Sequence, residues 1–89
     1  MIATEEWSVT IFIDEREDRT HAEARLHRQH QPEVRANGLA RRNPHDSNIP
    51  RIGAELAASR ALSQLAHQLL DDSIADVEQS TGEPAYFHT

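Results

Sequence analysis

The chain of 89 residues has no cysteine, no lysine, only three glycines and only four aromatic side chains. Without cysteine there is no disulfide framework, no thiolate metal site and no cysteine nucleophile. No apolar run approaches the roughly 18 residues that span a bilayer. The N-terminus lacks the basic stretch followed by an apolar one that marks a signal peptide, so the expected location is the cytoplasm. A P-loop, a dinucleotide-binding glycine motif and a serine nucleophile elbow are all missing as well. The hydrophobic share of 37% allows a compact core with little surplus. One small domain over residues 1–89 is expected, ordered from about 6 to 81, with 82–89 as a C-terminal arm.

The net charge of −6 is unevenly distributed. Residues 1–18 sum to −5, residues 19–51 to +4 and residues 52–89 to −5. All nine basic residues are arginine, seven of them in the middle block together with His21, His27, His30 and His45. Guanidinium forks suit phosphate or carboxylate partners. The same arginines serve equally well as solvated strand residues, and the acidic total weighs against nucleic acid.

Trp7, Val9, Ile11 and Ile13 alternate with Ser8, Thr10 and Asp14, which predicts a half-buried strand with Phe12 on its polar face. Glu15 to Asp18 reads as a turn. Ala22, Ala24 and Leu26 then alternate with His21, Glu23, Arg25 and His27 as a second strand. A turn at His30 to Glu33 follows, because Pro32 cannot donate within a central strand. A third strand is expected from Val34 to about Arg41, with Asn37-Gly38 as a candidate bulge. Pro50 suits the first turn of a helix. From Ile52 the period becomes 3.6, and Ile52, Leu56, Ala58, Leu62, Leu65, Ala66, Leu69 and Leu70 share one half of the wheel. Glu55 falls inside that arc, placed to cap free N–H groups or to pair with a strand arginine. A break is expected near Asp71-Asp72, with Ser73 and Asp76 opening a short second helix that Gly82 and Pro84 end. The predicted class is α+β, a three-stranded antiparallel meander packed by a long helix and a short one, in the order β-β-β-α-α.

The histidines do not form a convincing metal set. His21-Ala22-Glu23 matches half of a zinc-deaminase signature whose cysteines are missing. His27 and His30 would point to opposite faces of a strand, and His21 and His27 lie roughly 20 Å apart along one. His45-Asp46 is a two-residue fragment of a metal-phosphohydrolase dyad. No metal, cofactor or small-molecule substrate is expected, and the chain reads as non-enzymatic.

Three phrases carry a likeness to a known family. They are Ile13-Asp14-Glu15 with Arg19-Thr20 and Ala22-x-Ala24-Arg25-Leu26; Gly38-Leu39-Ala40-Arg41-x-Asn43-Pro44-x-Asp46; and Ile52-Gly53-x-Glu55-Leu56 with Arg60-Ala61-Leu62-Ser63-x-Leu65. Over roughly residues 7–80 the chain resembles a small actinobacterial family of unknown function with mycobacterial members in the hypoxia and dormancy response. The resemblance implies a three-stranded sheet packed by a C-terminal helical segment. That is a fold similar to double-stranded-RNA-binding domains and to part of the ribosome hibernation-promoting factors. It further implies dimers and an association with dormant ribosomes, but supplies no catalytic or binding motif to transfer.

Two readings follow. In the first, Arg25, Arg28, Arg35, Arg41 and Arg42 neutralise phosphates of ribosomal RNA and Phe12 stacks on a base. In the second, the open sheet face or an edge binds a second copy or another protein, and the same arginines pair with acids across the interface. Glu55, Gly38 and Pro50 are structural in both.

Overall fold

A computed structural model describes residues 3–41 and 49–83. Three strands and one helix follow one another: β1 (Ser8–Arg16), β2 (Arg19–His27), β3 (Val34–Arg41) and α1 (Pro50–Thr81). The sheet is an antiparallel meander in the order β1-β2-β3. Glu17 and Asp18 form a two-residue connection between β1 and β2, with Glu17 in the left-handed region at φ 48°. This turn is tighter than the expected Glu15 to Asp18, and β1 gains Glu15 and Arg16 from it.

One face of the sheet packs on α1. Thr20, Ala22, Ala24 and Leu26 of β2 and Val34, Ala36 and Ala40 of β3 are buried there, with Ala57, Ala61 and Leu65 of the helix. Six of the nine buried apolar residues in this core are alanines. Small side chains bury little area each, so this interior contributes little stabilisation at about 25 cal/mol per Å².

The small side chains permit close approach. An ideal Cβ at Gly38 would stand 2.9 Å from the Arg60 carbonyl carbon and closer still to the Ala57 oxygen and the Ala61 nitrogen. Gly38 is therefore no bulge. It pairs in regular register with Ala22 and leaves space for the helix backbone itself. A Cβ at Gly53 would likewise meet Thr20 Oγ1 at 2.7 Å.

That approach rotates the helix away from the predicted arc. The stripe Ala57-Ala61-Leu65 meets the sheet with Leu69 beside it; of the predicted arc Leu65 and Leu69 reach the core, whereas Ile52, Leu56 and Leu62 are exposed. The largest apolar residues do not select the buried face here; the alanines that fit against β3 do.

The structure also replaces two helices with one. α1 runs unbroken through Asp71 and Asp72 to Thr81, and Ser73 caps nothing. Each aspartate costs at most about 0.7 kcal/mol of helix propensity. A break would leave two sets of terminal backbone groups unsatisfied and require a new nucleus. The predicted ends hold: Pro50 opens the first turn, and Gly82 adopts φ 74° as its N–H donates to the Glu78 carbonyl at 2.7 Å. Glu55 neither caps the helix nor reaches a strand arginine. It sits 3.7 Å from Arg51 one turn earlier, with both side chains well exposed, a pair of negligible energetic weight.

Candidate interaction surface

Strand alternation sends a second set of side chains to the face opposite α1. Register places them in cross-strand rows: Thr10, Arg25 and Arg35; Phe12, Glu23 and Asn37; Asp14, His21 and Leu39; Arg16, Arg19 and Arg41. No helix among the described residues covers this face, and most of its charged groups pair with one another.

The Arg25 guanidinium lies 4.3 Å from the centre of the Phe12 ring, and its Nε donates to Glu23. Arg28 lies 5.2 Å from the Trp7 ring, and its Nε is buried without a hydrogen-bond partner among the described residues. Arg35 donates to Glu33, whose other oxygen is 3.4 Å from His27 Nδ1. The hydrogen bond from Arg35, with the charges of Arg35, His27 and Arg25, holds the Glu33 carboxyl below its ordinary 4.5; the same bond raises Arg35. His21 Nε2 and Asn37 Oδ1 meet at 2.8 Å. Thus Arg25, Arg28 and Arg35, with Phe12, are held in contacts within the fold.

Arg41 differs. It lies beside Arg19, and Arg19 lies beside Arg16, so three guanidinium groups share one row. Only Arg16 finds a carboxylate among the described residues, Asp14 at 3.1 Å. A shallow depression of about 400 Å³ beside the row is lined by Asp14, Arg16, Arg19, His21 and Leu39. Reading the sequence missed Arg16 and Arg19, because the first turn sets Arg16 opposite Arg19 and the second sets Arg19 opposite Arg41. Arg42, His45, Asp46, Tyr86 and Phe87 lie outside the described residues.

The two edges of the sheet are unequal. α1 packs mainly on β3 and β2 and barely reaches β1. Arg60 donates from Nη1 to the Leu39 carbonyl at 2.6 Å, which ties the helix flank down over β3. At the other edge, the inward residues Val9 and Ile13 remain 44% and 50% exposed, and only Ile11 of that row packs on the core. Leu62, roughly 200° around the helix from Arg60, is also exposed on the flank away from Arg60.

Among the described residues, no three His, Asp or Glu side chains converge to hold a metal ion. No helix among them is long and apolar enough to cross a membrane.

The fold and sequence have relatives. Uncharacterized protein MT1780 of Mycobacterium tuberculosis (strain CDC 1551 / Oshkosh) is 49% identical over 79 residues, which is 89% of this chain and 83% of that protein. Uncharacterized protein Rv2632c of M. tuberculosis (strain ATCC 25618 / H37Rv) is 43% identical over 76 residues, 85% of this chain and 81% of that one. The crystal structure of Rv2632c superposes with a TM-score of 0.84 at 38% identity, covering 93% of this chain and 98% of the other. A family model described as Rv2632c-like matches residues 5–86, and the chain belongs to the Rv2632c-like family.

Proposed function

We propose that this protein is a non-enzymatic, homodimeric interaction module. The observation that carries the reading is the half-exposed apolar row Val9 and Ile13 on an edge strand that α1 leaves uncovered. A core built largely of alanine gives such a domain a thermodynamic reason to bury more surface by association. The arginines of the open face support the same reading. Arg25 and Arg35 already have carboxylate partners, so a phosphate would have to displace Glu23 and Glu33.

A second reading, binding to RNA or the ribosome in a stress or dormancy role with the sheet used as in an RNA-binding domain, is favoured by one observation. Arg19 and Arg41 stand side by side with no carboxylate partner among the described residues. Like charges opposed across a sheet are unfavourable unless an anion joins them. Acidic residues at the neighbouring turn, Glu17 and Asp18, weaken that local field.

Gradient co-sedimentation with purified ribosomes over a salt series separates the two. The module reading predicts no comigration even at low salt. Comigration that weakens as salt rises, and that is lost in Arg19→Gln/Arg41→Gln, would replace it with the second.

A further inference from the structure

We infer that the partner surface is the free edge of β1, paired antiparallel with β1 of a second copy about Ile11, giving a continuous six-stranded sheet. This rests on the homodimer proposed above and specifies its edge and register.

Edge strands ordinarily carry devices that prevent pairing, such as proline, charges along the strand or a covering element. β3 has its cover in α1 and Arg60. β1 is nine residues long, contains no proline, and holds its charges only at one end, in Asp14, Glu15 and Arg16. From Ser8 to Ile13 it is uncharged and largely β-branched or aromatic, the composition that favours extended pairing.

The occupant follows from the arrangement of residues. An isologous contact requires each residue to meet its own reflection. A two-fold axis at Ile11 sets Val9 against Ile13, Ile11 against itself, Thr10 against Phe12 and Ser8 against Asp14. Continued beyond the strand, it sets Glu6 against Arg16. Every inward apolar residue within β1 then faces another, and Glu6 meets a charge of opposite sign; beyond the start of the strand Trp7 meets Glu15, and Glu5 falls opposite Glu17 of the turn.

Neighbouring registers fail on the same residues. An axis at Phe12 sets Val9 against the Glu15 carboxylate. An axis at Thr10 opposes Glu6 to Asp14 and Glu5 to Glu15, pairs of like charge that destabilise a sheet. The axis at Ile11 keeps both helices on one side, so Val9, Ile11 and Ile13 of both copies floor a groove between the exposed Leu62 side chains.

The chain contains no cysteine, so single introduced thiols report the register without background. Directly opposed residues in an antiparallel pair have Cα atoms about 4.5–5.5 Å apart, within disulfide range, whereas those two positions off are too distant. Ile11→Cys is expected to cross-link to itself almost fully under mild oxidation. A mixture of Val9→Cys and Ile13→Cys protein should give the mixed dimer in preference to either self-dimer. Phe12→Cys and Ala36→Cys should remain uncross-linked.

Sedimentation of the unmodified protein accompanies the cross-linking. A dimer that cross-links through Phe12→Cys or Ala36→Cys, or through neither Ile11→Cys nor the Val9→Cys and Ile13→Cys pair, would overturn the edge and register while leaving self-association standing. A monomer at all concentrations up to several hundred micromolar would overturn the homodimer reading itself.

Discussion

Gly38 of β3 and Ala61 of α1 pack backbone against backbone, with no room between them for a β carbon. This contact sets the depth at which the helix rides on the sheet. It also selects the alanine stripe, rather than the leucines, as the buried helix face.

Substitution Gly38→Ala is expected to destabilise the fold by about 2 kcal/mol or more, because its nearest neighbours are main-chain atoms that cannot rotate aside. Gly82→Ala provides a contrast. Nothing crowds that position, and its cost comes from the left-handed φ alone, about 1 kcal/mol. Chemical denaturation of both variants checks the ranking, and equal losses would refute the close approach at Gly38.

The unbroken helix makes a prediction of sign. Ser73→Ala at an interior position should stabilise α1 by about 0.5 kcal/mol, since alanine is the better helix former. At the N-cap of a separate helix the same change would cost about 1 kcal/mol. Thermal unfolding of the two proteins side by side reads the sign directly.

Glu33 should titrate below 4.5, with its hydrogen bond from Arg35 as the main cause. Because the folded value lies below the unfolded one, the associated stability is present above the ordinary carboxylate range and disappears as pH falls through the folded value. A carboxyl-carbon NMR titration should give a midpoint under 4.5 that returns toward that value in Arg35→Gln. An unchanged midpoint in the variant would assign the shift to another group. The pair is exposed, so its loss should leave the unfolding midpoint at neutral pH nearly unmoved.

The strands were legible because alternation has a period of two and β2 follows it without exception: Ala22, Ala24 and Leu26 are all buried. Polar Thr20 joins them because parity continues past the turn. The helix was harder to read. Hydrophobic periodicity ranks residues by apolar size, but Gly38 rewards smallness, so the predicted arc was rotated from the face that meets the sheet: its Leu65 and Leu69 reach the core, whereas its Ile52, Leu56 and Leu62 do not. Local signals at Asp71, Asp72 and Ser73 resembled a helix start, and cooperativity along the existing helix outweighed them.

The surface shows the same division. Phe12 was identifiable as an aromatic on a polar face, and it holds Arg25 there. The row Arg16, Arg19 and Arg41 was hidden because it depends on where two turns end, a detail that composition and charge sums do not contain. The difference between the two edges was equally invisible. It arises from the lateral position of α1, which the sequence pattern leaves undetermined.

Sedimentation equilibrium of the unmodified protein and of Val9→Lys tests pairing through β1 without a label. Pairing through β1 predicts that the unmodified chain approaches twice its monomer mass of 10.1 kDa as concentration rises. Val9→Lys, with a charge in the middle of the apolar floor, should stay at the monomer mass and remain folded by circular dichroism. A folded variant that still dimerises, or an unmodified protein that never does, would rule out dimerisation through β1.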